Sequence, residues 1–528
     1  MQMRRSSGVL LHLSSLPDSP GIGTLGENAY KFVDWLVSAK QSLWQVLPIG
    51  PTGYGDSPYA SFSTFAGNPL LIDLERLVEQ KILTKEEATS PSYISYCGYV
   101  EYGSVVYWKL PLLKAAAKNF LNDAPKDLRV KYEAFKNDNA SWLDNYAIFM
   151  SIKEFYDKKA SDENIFGAMW SNYWPSTLRR REPQSISEWH SSHVESCEIQ
   201  KAIQFFFFEQ WFELKSYANK KGISIIGDIP IFVAPDSADV WANQNLFQLD
   251  EEGQQLSCAG VPPDYFSATG QMWGNPLYDW DEMKKQNYDW WLKRISYMSH
   301  LVDFVRIDHF RGFDTYWKIP AGEKTAIKGQ WCKGPGADLL NAIQSKLSDI
   351  PIIAEDLGII TDSVRKLRDD FNLPGMRILQ FAFDTKEAGA DGLKNPFLPH
   401  NYVSRTVAYT GTHDNATMQG WLLEASDEEI KMISDYIGLS KTDDWNLIQQ
   451  KKKNGTLCKM LIELIFSSVA DFAIVPLQDI FNLGNEARMN VPSTTGGHNW
   501  QWRMNSTYFD DEKAEWLKSL SEKNNRNK

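Results

Sequence analysis

Eight short apolar runs, each bounded by turn residues, constrain this chain more than any other feature of its sequence. They cover residues 8–13, 43–48, 223–232, 301–308, 351–356, 377–383, 406–411 and 472–479. Runs of this kind are typical of parallel strands that are buried on both faces. Segments with helical apolar spacing, such as 30–40 and 337–347, fit between most of them. The pattern predicts an α/β fold, a closed (β/α)8 TIM barrel with its active site at the strand carboxyl ends.

The apolar runs are unevenly spaced, and the spacing divides the chain into five predicted regions. Residues 1–69 hold barrel strands 1 and 2 with an active-site loop, and residues 201–233 hold the region of strand 3. Residues 70–200 are too long for a crossover and predict a helical insertion that forms a subdomain on the barrel. Residues 234–290, rich in Gly, Pro, Asn and Trp, are interpreted as a loop-rich insertion over the cleft. Residues 291–528 hold barrel strands 4–8 with the candidate catalytic acids.

The composition argues against several classes of function. Hydrophobic residues make up 43% of the chain and charged residues 23%, which is typical of a globular protein with a large core. The net charge of −12 argues against nucleic acid as a partner and suits a neutral substrate. No apolar run has the length of a membrane span, so no membrane partner is expected. The five cysteines are scattered and form no CxxC pair, which argues against a disulfide framework and favours the cytoplasm.

Three carboxylates, Asp308, Glu355 and Asp414, follow or end apolar runs. Strands that stop at an acid present it at the carboxyl edge of a barrel, so the three are expected to share one cleft. A nucleophile, a proton donor and a third acid nearby suit the cleavage of a glycosidic bond. His309 and His413 each adjoin one acid, which favours binding of sugar hydroxyls over a packing role. Aromatic residues make up 13% of the chain and offer stacking platforms for sugars, although most are expected in the core.

The neighbours of two acids indicate different roles. Arg306 precedes Asp308 by two residues on the same strand face, and its charge would keep that carboxylate ionised as a nucleophile must be. A purely structural Arg–Asp pair is the alternative. Glu355 follows apolar residues, whose packing would raise its pKa and suit a proton donor and acceptor. Glu355 could instead cap the next turn, with Asp356 as the functional acid.

Motifs across nearly the whole chain resemble the amylomaltase, or 4-α-glucanotransferase, family of the wider α-amylase clan. The three acids lie in RIDHFRGF, AEDLG and GTHDN. Further matches, in the family's order, are SSGVLLHLSSLP, SLWQVLPIGPTGYGDSPY, IGDIPIF, GVPPDYFSATGQMWGNP and NEARMNVPSTTGGHNWQWRM. Each string is moderately specific, and the ordered set is highly specific.

The resemblance implies a role for each matching residue. Asp308 would be the nucleophile, Glu355 the general acid and base, and Asp414 the stabiliser of the transition state. The implied substrate-binding residues are Ser57, Tyr59, Asp228, Asp264, Gln271, Trp273, Arg306, His309 and His413. Tyr54 lies where some members of the family have a secondary glucan site.

The implied activity is transfer of α-1,4-glucan segments from a donor maltooligosaccharide or glucan to the 4-hydroxyl of an acceptor glucan or glucose. The implied mechanism is a retaining double displacement through a covalent glycosyl-enzyme. No metal or organic cofactor is expected, because no cluster of carboxylates and histidines has convincing ligand spacing. An α-1,4-glucan hydrolase of the same clan would keep the same acids. A non-catalytic glycan-binding scaffold is the other alternative; the loss of an acid would favour it, and all three acids are present.

Overall fold

In the computed structural model, which describes residues 3–96, 98–263, 267–347, 351–385 and 392–526, eight parallel strands close into a barrel. The strands of the described residues, numbered in chain order, are β1 (Ser6–Leu10), β2 (Leu43–Gln45), β3 (Ser224–Pro230), β4 (Ser257–Val261), β5 (Gln271–Pro276), β6 (Phe304–Asp308), β7 (Thr315–Pro320), β8 (Gln330–Lys333), β9 (Ile352–Ala354), β10 (Gly375–Ile378), β11 (Thr406–Tyr409) and β12 (Phe472–Pro476). The barrel order is β1-β12-β11-β10-β9-β6-β3-β2. The predicted (β/α)8 barrel is thereby confirmed.

Each of the eight apolar runs overlaps one barrel strand, but two strands begin earlier than their runs. β1 includes two serines, and Ser7 is buried with its hydroxyl 3.0 Å from that of Ser521. Hydrophobicity alone does not indicate a strand residue that is buried through a hydrogen bond. β10 ends at Ile378, and the rest of its run forms the short 3-10 helix Gln380–Ala382. Strand boundaries therefore depend on pairing partners as well as on apolar content.

Helices surround the barrel and form most of the insertion between β2 and β3. The α-helices of the described residues are α1 (Glu27–Ser38), α2 (Leu74–Glu79), α3 (Lys85–Ala88), α4 (Tyr102–Asp123), α5 (Lys126–Asp162), α6 (Trp170–Tyr173), α7 (Ser176–Arg179), α8 (Pro183–Ser192), α9 (Val194–Lys220), α10 (Ala238–Ala242), α11 (Trp280–Lys285), α12 (Asp289–Leu301), α13 (Gly336–Lys346), α14 (Asp362–Asp370), α15 (Met418–Glu424), α16 (Asp427–Tyr436), α17 (Trp445–Lys453), α18 (Thr456–Ser467), α19 (Leu477–Ile480) and α20 (Asp511–Lys523). Among the described residues, no helix combines the length and the hydropathy needed to cross a membrane.

The interval 70–200 is mostly helical, as its sequence predicts, but its last helix does not stop at residue 200. α9 continues to Lys220 and leads directly into β3. Its Gln204 side chain binds both backbone groups of Gly67, at 2.7 Å and 3.0 Å, in the loop that follows β2. The ring of Phe207 occupies the space that a Cβ of residue 67 would fill, so only glycine fits at this position. α9 thus belongs to the insertion and to the barrel wall, and the division of the chain into five regions stays a prediction.

A second, antiparallel sheet of order β5-β4-β7-β8 lies beside the barrel and is not indicated by the sequence pattern. β4 and β5 come from the interval 234–290, for which the sequence predicts a loop-rich insertion, and β7 and β8 follow β6. Gly260 of β4 pairs with Met272 on one side and with Trp317 on the other. Short strands that contain Gly and Pro lack the alternation by which a strand is predicted. This sheet places β5 next to the carboxyl end of β6.

Candidate active site

The three predicted acids lie at the carboxyl ends of barrel strands. Asp308 is the last residue of β6, Glu355 directly follows β9, and Asp414 lies in the loop that follows β11. β6 and β9 are neighbours, and the Glu355 amide donates to the Ile307 carbonyl at 3.1 Å. Because parallel strands end at one edge of a barrel, all three acids face the same side of the molecule.

Arg306 joins Asp308 to a second carboxylate, Asp228. Its guanidinium lies 2.9 Å from Asp308 Oδ1 and 2.5 Å from Asp228 Oδ2. The register of β3 and β6 places Asp228 directly opposite Arg306. Burial opposes the charge of Arg306, but Asp228 and Asp308 together raise its pKa well above the usual value. The Asp308 side chain is 30% exposed and the Asp228 side chain 0%, so only Asp308 reaches the cleft.

Glu355 is buried and is held by two backbone amides. His309 N donates to Oε2 at 2.7 Å, and Leu357 N donates to Oε1 at 2.8 Å, which also closes the next turn. Burial, and then the charge of Asp308, raise the pKa of Glu355 to about 8 against the opposing effect of Arg306 and the amides. The direction agrees with the prediction from its apolar neighbours. The raised pKa favours the protonated form of this carboxyl group at neutral pH, which is the form that a proton donor needs.

Asp356, the alternative acid, faces away from this group. Its carboxylate accepts from Met376 N at 2.7 Å and pairs with Arg368 and, at 3.3 Å, with Arg377. Its side chain is buried, and its partners lie on α14 and β10. Asp356 therefore links α14 and β10 to the end of β9, and Glu355 is the member of the pair that lies beside Asp308.

Asp414 is held by a distant segment that the sequence pattern does not connect with it. Asn490 Nδ2 donates to Asp414 Oδ1 at 2.6 Å, and Arg488 Nη2 donates to the Asp414 carbonyl at 2.6 Å. His413 Nε2 lies 3.4 Å from Asp414 Oδ2. The Asp414 side chain remains 44% exposed, so it can reach a bound ligand. Arg488 and Asn490 belong to the matched string NEARMNVPSTTGGHNWQWRM, and this motif is the sequence signal by which they could be found as site residues.

Tyr59 provides an aromatic surface beside Asp414. Its ring stacks on His413 with the centroids 5.2 Å apart, and Trp500 lies 5.7 Å from Tyr59. Trp500 belongs to the same matched string and was not singled out as a site residue. The Tyr59 hydroxyl donates to Asp228 Oδ2 at 2.9 Å. Asp228 has no exposed side-chain surface and orients Tyr59 and Arg306. Its role as a ligand of sugar hydroxyls stays a prediction.

The antiparallel sheet brings two further predicted residues to the cleft. The Trp273 ring packs edge-on against His309 with the centroids 4.8 Å apart, and its Nε1 donates to Gln271 Oε1 at 3.2 Å. Trp273 is 37% exposed and could pack against a sugar. His309 adopts a left-handed backbone conformation, φ 54°, and burial lowers its pKa to about 4, so its ring is neutral. These residues form the wall of the site next to Asp308.

The three remaining predicted residues contribute less to the described geometry. Ser57 Oγ accepts from Tyr59 N at 3.2 Å and so fixes the turn that precedes Tyr59. Tyr54 begins the short 3-10 helix Tyr54–Asp56, but its side chain lies outside the described part of the chain. Asp264 also lies outside the described residues. The roles of Tyr54 and Asp264 as glucan ligands stay predictions.

Together these groups have the chemistry needed to cleave a glycosidic bond. A partly exposed carboxylate beside a cation can attack an anomeric carbon, and a protonated carboxyl group beside it can donate to the leaving oxygen. A third carboxylate and neutral donors can stabilise positive charge and bind hydroxyls. The aromatic surfaces provide apolar faces for pyranose rings.

Comparisons with known proteins cover all of this site. A family model described as 4-alpha-glucanotransferase matches residues 11–508. The chain is 45% identical over 528 residues to a 4-alpha-glucanotransferase of Thermus thermophilus, with 100% of both chains covered. It is 43% identical to one of Streptococcus pneumoniae, with 98% of this chain and 97% of the relative covered. The amylomaltase of Streptococcus agalactiae, solved in complex with acarbose, matches with a TM-score of 0.90 and 37% identity over 99% of this chain and 100% of that chain.

Proposed function

Because this chain belongs to the 4-alpha-glucanotransferase family, we propose a catalytic role for each residue of the site described above. The enzyme moves α-1,4-glucan segments from a donor maltooligosaccharide or glucan to an acceptor glucan or glucose. The observation that carries the assignment is the pair at adjacent strand ends, Asp308 bound to Arg306 and the buried Glu355, held by two backbone amides, beside it. The other residues support this pair.

In the first half of the reaction, Asp308 attacks the anomeric carbon of the donor. Glu355 transfers its proton to the glycosidic oxygen as the bond between that oxygen and the anomeric carbon breaks. The reducing-side fragment leaves with a free 4-hydroxyl, and the rest of the donor is β-linked to Asp308. In this retaining geometry the two carboxyl groups are expected roughly 5–5.5 Å apart.

In the second half, the acceptor replaces the fragment that has left. Its 4-hydroxyl gives its proton to the Glu355 carboxylate and attacks the anomeric carbon, which releases Asp308. The two inversions restore the α configuration of the donor. Glu355 ends the cycle protonated, as it began.

The surrounding residues bind the sugar at the scissile bond. Arg306 stays charged beside Asp308, and Asp414 stabilises the positive charge that develops on the ring. Tyr59 is partly exposed and stacks on the buried His413, which fixes the orientation of the Tyr59 ring that packs against the pyranose. The neutral His309 ring can donate to a hydroxyl or accept from one without a change of charge.

Transfer requires that an acceptor sugar outcompete water at the glycosyl-enzyme. Trp273 and Gln271, beside His309, form an acceptor surface that could exclude water from the intermediate. Incubation with maltotriose, followed by separation of products by chain length, tests this function. A ladder of longer maltooligosaccharides with released glucose is expected. Glucose and maltose alone would identify an α-1,4-glucan hydrolase.

The raised pKa of Glu355 predicts how activity depends on pH. The proton donor must carry its proton, so kcat/KM for maltotriose is expected to fall as pH rises through about 8. Each further pH unit should then reduce kcat/KM about tenfold. Initial rates of glucose release between pH 5 and pH 10 measure this decline in kcat/KM, because the range brackets the pKa of Glu355. A profile that is flat across pH 8 would contradict the assignment of Glu355 as the acid.

Two substitutions separate the stacking role of Tyr59 from its hydrogen bond. Tyr59→Ala is expected to reduce kcat/KM for maltotriose roughly 100-fold, because a buried aromatic face contributes about 2–3 kcal/mol. Tyr59→Phe keeps the ring and loses only the bond to Asp228, so a loss of roughly fivefold is expected. Equal losses in the two variants would show that the hydroxyl, and not the ring, matters for binding.

We also propose the cytoplasm as the location of the enzyme. The support is the cysteine usage, since Cys197, Cys258, Cys332 and Cys458, the cysteines within the described residues, are free. Fractionation of cells with antibody detection tests this. Recovery in a secreted or organelle fraction would contradict it.

A further inference from the structure

Asp479 joins the two ends of the loop that carries Asp414. We name residues 410–418, between β11 and the start of α15, the acid loop. Asp479 Oδ2 accepts from the hydroxyl of Thr410, the first residue of this loop, at 2.6 Å. Asp479 Oδ1 accepts from the backbone amide of Met418, the last residue of the loop, at 2.7 Å. One carboxylate thus holds both ends of the segment at a fixed separation.

The other contacts of the acid loop hold its middle and its tip. Gln380 Nε2 donates to the Ala416 carbonyl at 2.8 Å, and within the loop Asn415 Oδ1 accepts from Thr412 N at 2.9 Å. At the tip, Asn490 and Arg488 bind Asp414, as described above. Asp479 therefore acts on the base of the loop, at a distance from the carboxylate of Asp414.

Burial of a carboxylate at this position costs free energy, and the two hydrogen bonds that it accepts explain why a carboxylate is present. Asp479 is 1% exposed, and burial raises its pKa to about 6 against the effect of the Thr410 and Met418 donors. A carboxylate offers two oxygens in one rigid plane, and here each oxygen has one donor from a different end of the loop. An aliphatic side chain would avoid the cost of burial but would leave both donors without an acceptor.

We propose that Asp479 is a positioning residue of the transfer reaction, which sets the place of Asp414 by holding the two ends of the acid loop together. The inference rests on the proposed role of Asp414 in stabilising the transition state. The loss of Asp479 should displace Asp414, whereas His413 in the same loop keeps its stacking contact with Tyr59, which lies outside the loop. The effect is then expected in kcat and not in KM.

Three substitutions at the two ends of this contact test the proposal. In Asp479→Ala both donors lose their acceptor, and kcat for maltotriose is expected to fall about 100-fold while KM changes by less than about threefold. In Asp479→Asn the side chain can still accept from Met418 N and can donate to Thr410 Oγ1, so kcat is expected within about tenfold of the wild type. Thr410→Val removes a single donor with little change of shape and should lower kcat about tenfold.

Asp303→Ala is the matched control for lost stability. Asp303 lies at the opposite end of the barrel, where its carboxylate accepts from Ile225 N at 2.7 Å and from Asn219 Nδ2 at 2.8 Å. Its removal leaves Ile225 N without this acceptor and breaks the ion pair with Lys215 Nζ at 3.4 Å, so thermal unfolding should occur at a lower temperature. Its kcat should stay within about twofold of the wild type, because it holds no part of the acid loop.

The outcomes separate this inference from the proposed function. Loss of kcat in Asp479→Ala and Thr410→Val, with KM unchanged, recovery in Asp479→Asn and a normal kcat in Asp303→Ala, would support the inference. A wild-type kcat in folded Asp479→Ala and Thr410→Val, or a kcat that follows thermal stability in all variants, would overturn it. Asp414→Asn is measured alongside. If Asp414→Asn keeps full activity, the proposed function of Asp414 is wrong, and the inference falls with it.

Discussion

Asp308→Asn is expected to abolish glucan transfer, with kcat for maltotriose reduced by roughly 10⁴-fold or more. The amide has nearly the shape of the carboxylate, but it cannot form the covalent glycosyl-enzyme. Separation of products by chain length should show neither longer maltooligosaccharides nor released glucose. The folded protein should still bind maltooligosaccharides in a calorimetric titration, because Tyr59 and His413 keep their stacked arrangement and Arg306 keeps its pair with Asp228.

Asp362→Asn serves as the control for Asp308→Asn. Asp362 lies at the exposed start of α14 and pairs with Arg365 on the protein surface, so its replacement should leave kcat unchanged. Substantial longer products from folded Asp308→Asn would show that another group is the nucleophile. An inactive wild type that still binds glucans would instead favour the scaffold interpretation.

Glu355→Gln is expected to cause the second largest loss, roughly 10³-fold in kcat for maltotriose, because the leaving oxygen then receives no proton. A glucosyl fluoride donor needs no such proton, so the first half of the reaction should proceed in this variant. The second half still lacks its base. The glycosyl-enzyme on Asp308 should therefore accumulate and appear as an added sugar mass on the intact protein.

Glu355→Gln should also change the dependence of stability on pH. Because the pKa of Glu355 is raised from 4.5 to about 8, the folded protein binds this proton more tightly than the unfolded chain does. The free energy of unfolding contributed by this group is therefore largest below pH 4.5 and declines as pH rises to about 8. The Gln variant lacks this decline and should unfold at a higher temperature than the wild type at pH 8.

Glu429→Gln provides the opposite control for this stability effect. Burial opposes the charge of Glu429, but hydrogen bonds from Ser426 and Thr385 outweigh it and lower its pKa. Its ionised form stabilises the fold above its unfolded pKa, so Glu429→Gln should unfold at a lower temperature at neutral pH. Normal transfer by Glu355→Gln, or lower stability of that variant at pH 8, would contradict the assignment of Glu355.

Much of the fold and the three acids could be predicted from the sequence because both produce local patterns. A strand buried on two faces needs a continuous apolar run, and a catalytic acid at its carboxyl end directly follows that run. Asp308 and Glu355 lie at such positions, and Asp414 lies a few residues beyond its strand. The alternative between Glu355 and Asp356 could not be decided in this way, because adjacent residues share the same local pattern and differ only in their distant partners.

The barrel, the strand that precedes or ends at each acid and, through the motifs, the family can be predicted from the amino-acid sequence. The groups that orient those acids are known only from the folded chain: Arg488 and Asn490 at Asp414, and Asp479 behind the acid loop. Only the folded chain also shows that β4, β5, β7 and β8 form one sheet, and that α9 belongs to both the insertion and the barrel wall. Apolar periodicity indicates which face of each segment is buried, because that pattern is local. A hydrogen bond between distant segments exists only after folding has brought the two segments together.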